Sequence, residues 1–264
     1  MTDFQLVTRR KMKKKNLNIT DKSCISDNFV RTEIDLKTIE ARLNDAMCTL
    51  KISDFFKDVK ELMSKSQVHE IVCYGIGNFA DCFISRYQLA LLILLREDVL
   101  KVPTNYCYFF DPKFNTEEKE FLKTKDFSII SKNEEGKRKA ERKTLFYMPH
   151  CGKSLYNNLL WANWNTHNLS QCIILGNSFH NIVDVNPRRK LEESCWYVLK
   201  KITPHVTEEN LPENFQYTDI FNDTVIISFM ENRLQEVTLQ TWQHTEMPVY
   251  SDDDTEFISN KNFK

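Results

Sequence analysis

Short apolar runs alternate along the middle of the chain with longer segments of helical character. The apolar runs cover residues 71–74, 105–110, 127–130, 144–148, 171–175 and 224–229, and helical segments are predicted over 79–95, 116–123, 154–164 and 191–202. Strands that alternate with helices require crossover connections, which favour a mostly parallel sheet. Continuous apolar strands are expected where helices cover both faces of that sheet. The pattern therefore predicts a doubly wound α/β domain over residues 70–230.

A different pattern precedes this domain. Apolar residues recur at steps of three or four, as on one face of a helix, at Leu36, Ile39, Leu43, Met47 and Leu50. Ser53 and Asp54 then form a plausible cap for a second, shorter helix. The pattern predicts a helical extension over residues 35–65 that packs on the following domain.

The two ends of the chain carry opposite charge. Residues 9–15 form a basic run, and we expect a disordered basic tail over residues 1–30, with a nuclear-import signal or a weak phosphate-binding arm as alternatives. A C-terminal extension is predicted over 231–264, with an acidic tail at 251–256. Because the net charge is −1, the overall field favours neither nucleic acid nor a membrane surface.

The remaining composition narrows the class further. No apolar run approaches the roughly 20 residues that span a bilayer, and the amino terminus lacks an apolar signal-peptide core. We therefore expect a protein that stays inside the cell. Its eight cysteines include no Cys-x-x-Cys pair, so neither a zinc site nor any other metal site is predicted.

Ligands of such sheets bind outside the carboxyl ends of the strands. After the first strand, residues 75–80 fit the pattern G-x-G-x-x-G/A, so Gly75, Gly77 and Asn78 are candidates for binding a nucleotide-like cofactor. The alternative is a turn that merely needs glycine. Asp111 ends the second strand and is a candidate for accepting ribose hydroxyls, although it follows Gly77 by 34 residues rather than roughly 20. Its alternative role is to end the strand.

Two further clusters follow later strands. His150 is the best candidate for a general base, and Cys151 is a candidate nucleophile that His150 and the helix start could activate. The alternative for His150 is a histidine hydrogen-bonded to backbone in a packed loop. Asn177 and Ser178 follow the fifth strand and complete the candidate cofactor-binding set with short polar side chains.

The same clusters carry a resemblance to a known family. The segments VCYGIGNFADCFISRYQLALLILL, YFFDPKF, LFYMPHCGKSLYNNLLWANW, IILGNSF and FNDT resemble the SRR-like family, named for sensitivity to red light reduced, and its animal members most of all. The resemblance covers residues 70–229, so the helical extension and both tails fall outside it. It implies a Rossmann-like domain, a role in circadian clock regulation and haem biosynthesis, and a location in cytoplasm and nucleus. It implies no catalytic residue.

Three functional hypotheses follow, in order of preference. The first is a regulatory protein with protein partners and a ligand pocket at the strand ends. The second is an enzyme that binds a nucleotide-like cofactor, S-adenosylmethionine before NAD, as in methyltransferase-type sheets. The third is a factor that associates weakly with nucleic acid through the basic run. The sequence leaves the cofactor unidentified and the existence of a reaction open. It predicts no membrane association and no specific nucleic acid.

Overall fold

A computed structural model describes residues 35–186, 197–243 and 246–250. The predicted tails at 1–30 and 251–256, with the basic run, lie outside the described residues. So do residues 191–196 of the helix predicted over 191–202. Within the described ranges, no helix is both long enough and apolar enough to cross a membrane.

The domain is built on a single sheet of seven strands. These are β1 (Glu70–Tyr74), β2 (Cys107–Phe110), β3 (Ser128–Ile129), β4 (Thr144–Met148), β5 (Cys172–Asn177), β6 (Thr207–Asn210) and β7 (Thr224–Ser228). Their order in space is β3-β2-β1-β4-β5-β7-β6. The first five strands are mutually parallel, whereas β7 runs antiparallel to both β5 and β6. The prediction of a mostly parallel α/β sheet is confirmed.

Helices cover both faces of the sheet. They are α1 (Leu36–Lys51), α2 (Asp54–Met63), α3 (Phe83–Leu94), α4 (Thr116–Thr124), α5 (Lys153–Ala162), α6 (Thr166–Gln171), α7 (Phe179–Val185), α8 (Tyr197–Ile202), α9 (Glu231–Leu234) and α10 (Leu239–Trp242). Alternate residues of the central strands enter opposite cores. In β1, Ile71 and Cys73 join the core beneath α1 to α4, whereas Val72 and Tyr74 join the core beneath α5 and α8.

The helical extension packs as the sequence predicts. Asp35 caps α1 by accepting from the Thr38 N–H, and Ser53 caps α2 by accepting from the Phe56 N–H. The apolar stripe of α1 is buried in the same core as β1 and α3, with Leu50 fully inaccessible. These two helices therefore extend the main core instead of forming one of their own.

The structure corrects the sequence-based elements at several positions. The helix predicted from residue 79 begins at Phe83, because residues 79–81 form a turn held by side chains from other elements. Strand β6 was not predicted, since its polar sequence TEEN belongs to an edge strand that pairs only with β7. Four short helices were also not predicted, namely α6, α7, α9 and α10.

Candidate functional site

A cavity of about 270 Å³ opens at the carboxyl ends of β1, β2 and β4. The strand order reverses at this point of the sheet. From β1 the chain adds β2 and β3 on one side, and it then crosses to the other side of β1, where β4 and β5 lie. Ligands of open α/β sheets bind at such switch points. Five predicted site residues line the cavity: Gly75, Gly77, Asp111, His150 and Cys151. Asn78, Asn177 and Ser178 are not among the lining residues.

The glycine turn has the backbone shape that the motif requires. Gly75 and Gly77 both adopt left-handed backbone angles, with φ of 69° and 76°. The Gly77 N–H, however, donates to Asp111 Oδ2 at 2.7 Å. Because α3 begins only at Phe83, the turn and the helix start are separate features. This N–H is therefore engaged by the protein's own carboxylate.

Asp111 holds the turn from the end of β2. Its Oδ1 accepts from the Lys113 N–H at 2.7 Å, while Oδ2 accepts from Gly77. The side chain is 6% exposed, and burial raises the pKa of Asp111 despite these hydrogen bonds. Each carboxylate oxygen retains a second lone pair. A ribose hydroxyl could therefore still donate to Asp111, and that role stays a prediction.

Glu118 of α4 holds the far side of the glycine turn. Its fully buried carboxylate accepts from the Ala80 N–H at 2.9 Å and from the Asn78 amide at 3.1 Å. It also accepts from the Asn115 N–H, which completes a capping box at the start of α4. Glu118 was not predicted as a site residue, although Asn115-x-x-Glu118 is a capping signature. Asn78 thus faces Glu118 and the Lys113 carbonyl.

His150 bridges two elements across the strand ends. Its Nδ1 lies 3.2 Å from the Gln88 amide nitrogen, and its Nε2 lies 3.2 Å from the Asn222 carbonyl oxygen. An amide nitrogen can only donate, so Nδ1 accepts and Nε2–H donates to the carbonyl. Both ring nitrogens of His150 therefore have a partner within the protein. The contact with the Asn222 carbonyl matches the alternative of a histidine hydrogen-bonded to backbone, although the residue is exposed. The general-base role stays a prediction.

Cys151 lies beside His150 but is buried, with 8% of its surface exposed. Its thiol donates to the Tyr74 carbonyl oxygen at 3.4 Å. Burial raises the pKa of the Cys151 thiol well above its ordinary value. A thiol in this setting stays protonated at neutral pH, and the thiolate is the nucleophilic form. The geometry therefore disfavours the predicted nucleophilic role.

Asn177 and Ser178 organise the neighbouring loops. Asn177 Oδ1 accepts from the His150 N–H at 2.8 Å, and the Asn177 N–H donates to the Tyr156 hydroxyl. Ser178 caps α7 and donates to Glu208 of β6, whose other oxygen accepts from the Phe179 N–H at 2.7 Å. A carboxylate of the protein itself thus occupies the position at which a phosphate could bind.

The opposite wall of the cavity was not predicted. Tyr74 lines the cavity and donates its hydroxyl to Glu134, which also accepts two hydrogen bonds from Arg138 at 2.8 and 2.9 Å. Arg138 in turn stacks over the Tyr108 ring. Lys113 is the one lysine or arginine among the described lining residues, and its side chain is exposed. It is the cation that an anionic ligand would meet.

Comparison with known proteins decides the family. The model of the SRR1 domain matches residues 43–228. The chain belongs to the SRR1 domain family. The resemblance in the sequence is thereby confirmed. The match begins inside α1, so it reaches further toward the amino terminus than the sequence motifs indicated.

SRR1 relatives are similar over most of the chain. The SRR1-like protein of Mus musculus is 38% identical over 204 residues, 75% of this chain and 81% of that protein. The SRR1-like protein of Drosophila melanogaster is 29% identical over 242 residues, 88% of this chain and 84% of that protein. Protein SENSITIVITY TO RED LIGHT REDUCED 1 of Arabidopsis thaliana is 34% identical over 151 residues, 56% of this chain and 54% of that protein.

A solved structure is similar at a greater distance. The SAH-bound methyltransferase PaMTH1 of Podospora anserina shares 13% identity with this chain at a TM-score of 0.39, covering 85% of this chain and 100% of its own. Similarity at this level does not establish a shared activity.

Proposed function

We propose that this SRR1-family protein is a regulator that binds a small nucleotide-like ligand in the switch-point cavity and acts through protein partners. The single observation that carries this proposal is that the reactive groups at the cavity are already engaged. His150 uses both ring nitrogens, Asp111 accepts at both oxygens, and Cys151 is a buried thiol. A formed cavity whose carboxylate, imidazole and thiol already have hydrogen-bond partners within the protein favours binding over turnover.

The processes that we propose this protein regulates are those that the family resemblance implies. They are control of the circadian clock and of haem biosynthesis, in cytoplasm and nucleus. A ligand-dependent regulator suits such roles, because binding to one conformation shifts the population that a partner meets. The exposed Lys113 and the buried Asp111 supply opposite charges at the cavity. This pair suits a ligand with ribose hydroxyls at one end and an anionic group at the other.

A thermal-shift panel on the full chain tests the ligand. The panel contains S-adenosylmethionine, its demethylated product, NAD, NADP, ATP and haem. A ligand that binds only the native state adds about 2.7 kcal/mol of stability at a hundredfold excess over its dissociation constant. We expect at least one nucleotide-like member to raise the melting midpoint. An unchanged melting midpoint with every compound of the panel would contradict the proposed binding of a nucleotide-like ligand.

The second candidate is a cofactor-dependent methyltransferase. It is favoured by the glycine turn and Asp111, which lie at the carboxyl ends of β1 and β2 and line the cavity where a nucleotide-like cofactor could bind. A shared fold does not by itself imply a shared reaction. A methyl-transfer activity would favour this candidate if the His150→Ala variant lost the activity but bound the cofactor as tightly as the wild type. The nucleic-acid alternative depends on the basic run outside the described residues.

A further inference from the structure

A second opening lies at the same edge of the sheet and is larger than the switch-point cavity. Its volume is about 610 Å³, within the range of about 300–1,000 Å³ that ligand sites occupy. The first turn of α7 forms one side, and the segment between β6 and β7 forms the other. Its aromatic and acidic lining residues are Phe215, Tyr217, Phe221, Glu213 and Asp223, and we call this opening the acidic groove. The hydrogen bond from His150 to Asn222 lies between the groove and the cavity.

The charge around the groove has one sign. Residues 206–230 contain five carboxylates and no lysine, arginine or histidine. The carboxylates are Glu208, Glu209, Glu213, Asp219 and Asp223. Glu208 is already engaged by the start of α7 and by His180. Within the described part of the chain, Glu213, Asp219 and Asp223 form no ion pair with a basic side chain, so their charge faces solvent uncompensated.

Exposed aromatic rings continue the groove at its mouth. Tyr217 is 37% exposed and packs edge-on against Phe83, which is 44% exposed, with ring centroids 5.0 Å apart. Large exposed aromatic rings beside carboxylates suit a cation that carries an apolar stem, because the ring face attracts the charge and the ring covers the stem. Arginine and lysine side chains have this form.

The distribution of the charge identifies the kind of occupant. Among the described residues, no three histidine, cysteine or acidic side chains converge to hold a metal ion. The carboxylates without an ion pair are instead spread along the segment from Glu213 to Asp223, and Glu213 and Asp223 line the groove. Separate carboxylates of this kind match several cations spaced along a chain better than one compact ion. We propose that the acidic groove docks a basic peptide segment of a partner protein, with arginine or lysine side chains over Tyr217 and Phe83. This inference rests on the proposed function only in assuming a protein partner.

Fluorescence anisotropy tests this assignment on the full chain. The probe is a short fluorescein-labelled peptide of arginine, lysine and serine, and the matched control peptide carries glutamate at the basic positions. We expect binding of the basic peptide that weakens with added salt, since exposed charges are screened, and no binding of the acidic peptide. The double variant Glu213→Lys with Asp219→Lys should weaken binding by at least about tenfold, because it places like charges opposite each other.

Control variants show whether any loss of peptide binding comes from the acidic groove or from the change in the protein's net charge. Glu61→Lys with Glu120→Lys changes two exposed carboxylates elsewhere and should leave affinity within about twofold, since distant exposed charges are screened. Tyr217→Ser should weaken binding by about two- to fivefold through the lost cation–π contact. Unchanged melting midpoints would show that the variants fold.

Two outcomes would overturn the inference. One is equal binding of the peptide by the wild type and the Glu213→Lys, Asp219→Lys variant. The other is binding of spermine, but not of the peptide, in a groove-dependent way, which would assign the groove to a small polyamine. Neither outcome concerns the nucleotide panel, which tests the switch-point cavity on its own.

Discussion

Replacement of Glu118 by alanine is expected to destabilise the protein by about 3–5 kcal/mol. The substitution removes a buried, charged acceptor and leaves its three hydrogen-bond donors without a partner. Those donors are the N–H groups of Ala80 and Asn115 and the amide of Asn78. Glu118→Gln keeps one acceptor oxygen and should cost roughly half as much. Urea unfolding measures both values.

The matched control for Glu118 is Glu120→Ala on the same helix. Glu120 is exposed, and its replacement should change stability by no more than about 0.5 kcal/mol. Equal stability of the Glu118→Ala and Glu120→Ala variants would contradict the role assigned to Glu118 in fixing the glycine turn.

The pH dependence offers a second readout of the same group. Burial raises the pKa of Glu118 above its ordinary value of 4.5. The native state then binds more protons than the unfolded state, so this group's contribution is fully present below pH 4.5 and is lost as pH rises through the raised pKa. Since glutamine does not titrate, Glu118→Gln should fall less steeply in stability than the wild type as pH rises through that window.

Gly75→Ala is expected to destabilise the protein by about 2–5 kcal/mol, for two separate reasons. A Cβ at Gly75 would lie 2.5 Å from Cys151 Sγ, and the residue has a left-handed φ of 69°. The backbone conformation costs about 1–2 kcal/mol for alanine, and the overlap adds about 1–3 kcal/mol. Gly75 follows β1 and Cys151 follows β4, and both line the cavity. The substitution therefore tests how closely these two parts of the cavity wall pack.

A double-mutant cycle with Cys151→Ala separates the two causes. Removing the sulfur relieves the overlap but leaves the backbone strain, so the double variant should be more stable than the sum of the single changes predicts, by about 1–2 kcal/mol. Strictly additive changes in the free energy of unfolding would mean that the two residues do not approach as the structure shows.

The pattern of apolar residues predicted most of the architecture. Buried parallel strands are continuous apolar runs, and strand ends in such a sheet meet at one edge, which is why Gly75, Gly77, Asp111, His150 and Cys151 line one cavity. Strand β6 escaped prediction because an edge strand needs no apolar run. From the sequence, Glu208 of this strand is expected to be a surface charge. In the structure its carboxylate accepts a hydrogen bond from the N–H group at the start of α7.

The roles of the site residues were harder to predict than their positions. They depend on partners far away in sequence: Glu118 bonds Ala80 across 38 residues, and Gln88 meets His150 across 62. Nothing in a local motif indicates whether a histidine ring is free or already paired on both nitrogens. The motif at Gly75 likewise could not reveal that Asp111 accepts from the Gly77 N–H.

Calorimetric titration of the panel's strongest ligand into two lysine variants tests the central claim most directly. Lys113→Glu reverses the charge of the one lysine or arginine among the described residues that line the cavity. Lys119→Glu makes the same change at an exposed site of α4 outside the cavity. We expect one site per chain in the wild type and in Lys119→Glu, with affinity at least about tenfold weaker in Lys113→Glu. Equal affinity for the three proteins would place the ligand elsewhere and contradict a binding role for the switch-point cavity.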